Sequence, residues 1–214
     1  FNSGLAVELT KGAPENPLVN AGAMSTVSLI EAKDKSDRWN KILDNLNVWA
    51  DATLTVNEPV CKSEMETNQH NQALAKLMES YNSFYGNTDE AVEIYTRQCS
   101  VDITVEQLAK MGAVLANKGK SPFNGKQLLN EKYVPQVLAE MAIAGLYDSS
   151  GKWLYTVGIP AKSGVGGGMV AVVPGEYAIA VYSPPLDEAG NSVRAQKTIE
   201  YVAEATKANV FLAK

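Results

Sequence analysis

Between Leu154 and Tyr182 the chain carries three short apolar, β-rich runs, Leu154 to Ile159, Met169 to Val173 and Tyr177 to Tyr182, separated by Gly and Pro. Separations this short join antiparallel neighbours, because a parallel return needs a crossover of a dozen residues or more. The runs therefore predict a three-strand antiparallel meander, and the rest of the chain must supply the layers that cover it.

That rest reads as helix. The small apolar stretch from Asn20, AGAMSTVSLIEA, suits a closely packed buried helix, and residues 1–19 before it read as an extended approach. Asp37 is placed to cap a second helix carrying Trp39, Ile42, Leu43, Leu46 and Trp49 at helical spacing. Ser63 with Glu66 has the capping-box pattern and predicts one helix through about Glu79; Thr104 with Gln107 repeats it. A short helix begins at Ala91, Asn130 to Ala144 gives another ended by Gly145, and a capped helix closes the chain from Asn191 to about Lys207. The expected fold is α+β: a helical cluster plus an antiparallel sheet flanked by helices, as one domain over residues 1–214.

Composition excludes several functions. Nineteen Lys and Arg against 24 Asp and Glu give a net charge of −5, with no basic run to track nucleic acid. One histidine, His70, and two cysteines, Cys61 and Cys99, cannot make a four-ligand structural zinc site, and the cysteines read as reduced thiols. No apolar run reaches the length of a membrane span. The opening Phe1-Asn2-Ser3-Gly4 has neither a starting methionine nor signal-peptide regions, and reads as cut from something longer.

The most unusual segment is Lys162-Ser163-Gly164-Val165-Gly166-Gly167-Gly168. Glycine runs commonly mark a flexible hairpin turn. A phosphate loop is poorly supported, since its Lys-Ser/Thr follows the glycines and opens a helix, whereas here Lys-Ser precedes them. The remaining reading is an edge strand that offers a cation, a hydroxyl and backbone N–H groups to a bound acyl group, as in the penicillin-recognising serine hydrolases. Such enzymes need a nucleophile in Ser-x-x-Lys. The single match, Ser149 to Lys152, reads as a turn before a strand, the wrong context, and is taken as coincidence.

Six stretches in order, NPLVNAGA (16–23), SEMETNQHN (63–71), IYTRQCS (94–100), GLYDSSG (145–151), VGIPAKSGVGGG (157–168) and VVPGEYAIAVYSPPLDEAGNS (172–192), make the chain resemble the serine-dependent glutaminases. The resemblance implies a β-lactamase-like fold whose N-terminal portion, with its Ser-x-x-Lys helix, lies upstream of this chain. It also implies hydrolysis of the glutamine side-chain amide to glutamate and ammonia, without a metal or cofactor. By the same resemblance Asn20, Glu64, Asn71 and Tyr95 bind the amino-acid end of glutamine. Tyr147 and Val165 act at the amide and also touch substrate, Val165 through an oxyanion-hole N–H, and Lys162 supplies positive charge. Glu64 and Asn71, seven residues apart, are expected on one face of one helix.

Each residue has a plainer alternative. Asn20 could cap its helix, Glu64 and Asn71 could line a solvated face, the two tyrosines could be half-buried packing, and Cys99 could be packing too. Gln69-His70 replaces an Arg usual in the family beside the second-motif asparagine, and His70 reads as a surface residue. The resemblance further implies a homodimer or homotetramer in the cytoplasm, or in mitochondria if the source is eukaryotic. Competing functions are another serine acyl hydrolase of this fold, a β-lactamase or peptidase, and a non-catalytic glutamine-binding or assembly fragment.

Overall fold

The structure, a computed structural model, describes residues 3–212. Phe1 and Asn2, at the head of the expected extended approach, lie outside the described residues. The chain forms two compact units, Phe1–Asn47 with Thr53–Asp102, and Val48–Ala52 with Ile103–Lys214.

The first unit is built from α1 (Gly4–Leu9), α2 (Asn20–Ser28), α3 (Lys35–Ala50, whose last turn belongs to the second unit), α4 (Glu58–Thr67), α5 (Gln69–Ser80) and α6 (Thr88–Cys99). Helix α1 corrects the extended reading of residues 4–9. The Ser3 hydroxyl accepts from the Ala6 N–H, the Leu-Ala-Val-Glu-Leu run has good helix formers, and Val7 is buried. In α3 the cap is Asp34, which accepts from the Asp37 N–H at 2.9 Å, while Asp37 reaches back to the Lys33 N–H at 3.0 Å. The Asp37 carboxyl is accordingly held below its usual range, first by that backbone bond and then by Lys41.

The single helix expected from Ser63 to Glu79 is two. Asn57 caps α4 by accepting from the Val60 N–H, and Pro59 lies in its first turn, so Ser63 is interior to a helix already begun. The chain breaks at Asn68 (φ −88°, ψ 21°) before α5. Helix α6 is the long form of the short helix expected from Ala91. It packs with α2 and α5 around Val7, Met24, Leu74, Met78 and Val92, and a second cluster gathers Val27, Trp39, Ile42 and Ile94.

The second unit holds α7 (Val105–Ala116), α8 (Val134–Ala144), α9 (Ser150–Thr156), β1 (Ala161–Ser163), β2 (Gly168–Val173), β3 (Tyr177–Tyr182) and α10 (Val193–Ala205). Thr104 and Gln107 form both bonds of the expected capping box, and α7 ends before Gly119 (φ 80°). The sheet runs β1-β2-β3, antiparallel throughout, with Lys162 opposite Val170 and Val170 opposite Ala180. Alternation along β2 decides what covers it. Met169, Ala171 and Val173 join Ala195, Ile199 and Ala203 of α10 in one core, while Val170 and Val172 face Gly112 of α7. A Cβ at Gly112 would lie 2.8 Å from Val170 and Ala178, so glycine is what lets α7 lie close on the sheet.

One strand assignment is corrected. Leu154 to Ile159 is not a strand: residues 150–156 form α9, and the first strand is Ala161–Ser163. Trp153 and Val157, four apart, both enter the core, and the Trp153 Nε1–H donates to the Ile159 carbonyl at 2.9 Å. Helical spacing of two buried residues outweighs the β-branched composition, since β-propensity mostly records packing on a pleated surface. Among the described residues no helix is long and apolar enough to cross a membrane.

Candidate active site

The first unit gathers three of the four residues assigned to the amino-acid end. The Asn16 side chain accepts from the Leu18 N–H at 2.9 Å, turning the chain into α2, and glycine at 22 admits the Asn16 carbonyl, which a Cβ would meet at 1.9 Å. Asn20 is thereby the first helical residue, not the cap, which is Val19. Its Oδ1 accepts instead from the Tyr95 hydroxyl of α6 at 2.6 Å. Tyr95 in turn bonds the Cys99 thiol one turn on, and Cys99 senses the negative charge of Glu64. Asn20, Tyr95, Cys99 and Glu64 thus form one cluster of polar groups. Cys99 is exposed at the surface, which corrects the packing reading; the protein around its sulfur still raises its pKa by desolvation, against the Tyr95 bond. Cys61 is buried, and neither cysteine is joined in a disulfide among the described residues.

Glu64 stands exposed on α4 and Asn71 half-buried in the first turn of α5, so the argument from one continuous helix face fails. What relates them is the break between. Asn68 is buried, donates through Nδ2 to Thr96 Oγ1 of α6 at 3.1 Å and accepts from Gln72 Nε2 at 2.5 Å. It ties the α4–α5 break to the helix that carries Tyr95. Sequence reading missed Asn68; its helix-breaking position inside SEMETNQHN was the available signal. His70 lies exposed beside Asn71.

The second unit assembles Tyr147, Lys162 and Val165. Gly145 ends α8 at φ −72°, an ordinary helical value; it must be glycine because a Cβ would sit 1.7 Å from the Ala161 carbonyl of β1. That closeness lets the Ser163 N–H donate to the Gly145 carbonyl at 3.1 Å, fastening β1 to the turn that follows α8. In that turn Tyr147 has φ 51°, a left-handed conformation that costs a bulky residue about 1–3 kcal/mol. The strain is held by Ser150, whose Oγ accepts from the Leu146 N–H at 2.9 Å and donates to the Tyr147 carbonyl at 2.7 Å.

Lys162 alternates to the face opposite Ser163 and brings its Nζ to 4.5 Å from the centre of the Tyr147 ring, while also donating to the Ser163 carbonyl. Burial pushes its pKa down to about 8; the ring face favours the cation and works against that. Val165 sits exposed on the Gly164–Gly168 turn, which is closed by a Gly164 N–H bond to the Gly168 carbonyl at 2.9 Å. Among the described residues its own N–H has no acceptor. A Cβ placed at Gly190 (φ 93°) would meet Val165 at 3.4 Å and the Tyr147 ring at 3.7 Å, so the 187–192 loop comes close to both.

Two candidate hydroxyls fall away. Ser163 is 2% exposed, and its Oγ donates to Asn191 Oδ1 at 2.5 Å, so it is not offered to a ligand as the edge-strand reading supposed. Ser149 does precede a helix, contrary to the turn-before-strand context, but Lys152 is exposed on that short helix and no hydrogen bond joins the two among the described residues. The pair remains a coincidence of spacing. Neither Asn191 nor Ser150 was singled out from the sequence, although Asn191 stands in the distinctive Gly-Asn-Ser end of the sixth block.

A family model described as Glutaminase matches residues 1–211. The chain belongs to the glutaminase family. The glutaminase of Colwellia psychrerythraea is 53% identical over 211 residues, 99% of this chain and 68% of that protein. That of Mycobacterium ulcerans is 50% identical, over 99% of this chain and 66% of its own length, so the chain spans about two thirds of these relatives. Among solved structures, a probable glutaminase superposes with a TM-score of 0.97 at 48% identity, over 99% of this chain and 69% of that one. A covalent complex of the Bacillus subtilis glutaminase with 5-oxo-L-norleucine, formed with 6-diazo-5-oxo-L-norleucine, gives 0.89 at 31% identity, over 92% and 70%. The fold is the β-lactamase-like one of these glutaminases, and the family is one of amidohydrolases. A β-lactamase or peptidase is thereby set aside in favour of a glutaminase.

Proposed function

We propose that the enzyme carrying this chain hydrolyses the side-chain amide of L-glutamine through a serine acyl-enzyme, with the attacking serine and its lysine contributed from outside residues 1–214. The serine oxygen adds to the amide carbon while its proton passes to the lysine. The tetrahedral oxyanion is stabilised by the Val165 N–H. Collapse breaks the C–N bond, and Tyr147 hands a proton to the departing nitrogen, which leaves as ammonia. Water then attacks the acyl ester, releasing glutamate and returning the proton to serine, with Tyr147 as the base.

The observation that carries this reading is the Lys162 ammonium over the Tyr147 ring at 4.5 Å. A cation so placed steadies the negative charge that develops as the hydroxyl proton is passed on. Glu64 suits the substrate ammonium, and Asn20, Asn71 and Tyr95 suit the carboxylate and amide groups. Tyr147→Phe in the full-length enzyme is expected to cut kcat by at least about tenfold, the lower end of a general acid–base contribution being higher still. Near-normal turnover would remove Tyr147 from proton transfer. A 6-diazo-5-oxo-L-norleucine adduct found by mass spectrometry on a residue of this chain would overturn the external serine. Cytoplasmic location and assembly as a homodimer or homotetramer belong to the same proposal and rest on the resemblance; light scattering tests the assembly.

A further inference from the structure

We infer that Asn191 is a positioning residue for the reaction, the buried pin that holds Tyr147 and Lys162 in register. This rests on the roles just proposed for those two residues. Asn191 is fully buried and uses each polar group of its amide on a different segment. Its Oδ1 accepts from Ser163 Oγ at 2.5 Å, gripping β1 next to Lys162. Its Nδ2 donates to the Leu146 carbonyl at 3.3 Å, gripping the peptide that leads directly into Tyr147. Its backbone closes the 187–192 loop, the N–H donating to Asp187 Oδ1 at 2.9 Å and the carbonyl accepting from the Asp187 N–H at 2.8 Å.

The grip matters because Tyr147 is held at φ 51°. A left-handed non-glycine residue persists only where its surroundings over-determine it. The Leu146 carbonyl, which leads into Tyr147, accepts from Asn191 Nδ2 and from the Ser149 N–H at 3.0 Å, while Ser150 holds the flanking Leu146 N–H and Tyr147 carbonyl. Without the Asn191 donor the peptide is freer to rotate, Tyr147 can return to negative φ, and its ring leaves the Lys162 ammonium. Release of Ser163 frees the strand that carries Lys162 at the same time. None of this touches the groups assigned to the amino-acid end of glutamine, so the loss falls mainly on kcat, with only a small rise in KM through the contact of Tyr147 with substrate.

The test is steady-state kinetics of full-length Asn191→Ser, Ser163→Ala, their double variant and Ser163→Thr, beside Tyr147→Phe. Misplacement of the reacting groups is expected to lower kcat roughly tenfold to a hundredfold in Asn191→Ser and Ser163→Ala, with KM little changed. The double variant should be no slower than Asn191→Ser, because both changes remove the same bond. Ser163→Thr, which keeps the hydroxyl, should recover most of the turnover. Wild-type kcat in folded Ser163→Ala and Asn191→Ser while Tyr147→Phe is inactive, or a rise in KM alone, overturns the inference and leaves the mechanism standing. Wild-type turnover in Tyr147→Phe overturns the mechanism instead. Should Asn191→Ser fail to fold, Ser163→Ala, which deletes a single hydroxyl, decides alone.

Discussion

Lys162 gives a prediction in which stability and activity move in opposite directions. Burial brings its pKa from 10.5 to about 8, so the folded state holds the cation at a cost that the unfolded chain does not bear. The sign follows from linkage: the penalty is fully present below the folded value and disappears as the pH rises past the unfolded one. Taking those two values, the penalty is about 3 kcal/mol at pH 7 and falls to about 1 kcal/mol at pH 10, at 1.36 kcal/mol per pKa unit. Lys162→Met keeps the stem and removes the charge. It also removes the ring contact, worth about 0.5–2 kcal/mol, and the bond to the Ser163 carbonyl, worth about 1.5–3 kcal/mol, so at pH 7 gains and losses nearly cancel.

The pH dependence does not cancel. From pH 7 to pH 10 the wild type should gain about 2 kcal/mol relative to Lys162→Met. Urea unfolding of both full-length proteins at the two pH values measures it. Parallel stabilities, or a wild type that loses ground as the pH rises, would refute the buried-cation argument. Because the reaction is proposed to use the charged form, wild-type kcat should fall as the pH rises through about 8, and Lys162→Met should be slow throughout.

Three further outcomes are expected. Glu64→Ala should raise KM for glutamine with a smaller effect on kcat, since it removes the partner of the substrate ammonium; an unchanged KM in steady-state assays takes Glu64 out of the site. Asn68→Ala should destabilise by about 1–3 kcal/mol, by leaving the buried Thr96 hydroxyl without its donor and releasing the α4–α5 break; chemical denaturation checks this. Gly145→Ala should cost more than about 4 kcal/mol or abolish folding, because the new Cβ meets a backbone carbonyl that cannot step aside, and a soluble variant with wild-type midpoint refutes the close approach.

What was legible in the sequence is what depends on near neighbours. The Thr104 capping box, the Gly119 stop and the β2–β3 hairpin each involve residues a few positions apart, and each formed as read. The contacts of Tyr147 with Lys162 and of Asn20 with Tyr95 were not read from the sequence, where the resemblance grouped these residues only by role. Those residues are distant in the chain, and only their place in recurring blocks linked them, not any periodicity.

The misreadings share one physical cause. Leu154 to Ile159 looked like a strand because composition records what a residue tolerates, while Trp153 and Val157 were claimed by a core that the sequence does not display. Ser63 looked like a cap because capping patterns do not say whether a helix has already begun, and here Asn57 had begun it. The two buried amides are the harder case. Asn68 and Asn191 each find their hydroxyl partner 28 residues away, and an asparagine read locally suggests only a turn. A buried amide without partners is costly, so it persists where the fold supplies donors and acceptors from several segments at once. Burial of such a group therefore marks where separately coded segments must be held to a common geometry. In this chain one buried amide joins the α4–α5 break to α6, and the other joins β1 to the Tyr147 turn. Each bonds a residue adjacent in sequence to one assigned to substrate or reaction, Thr96 beside Tyr95, Ser163 beside Lys162 and Leu146 beside Tyr147, which is where a displacement of about 1 Å is felt as rate.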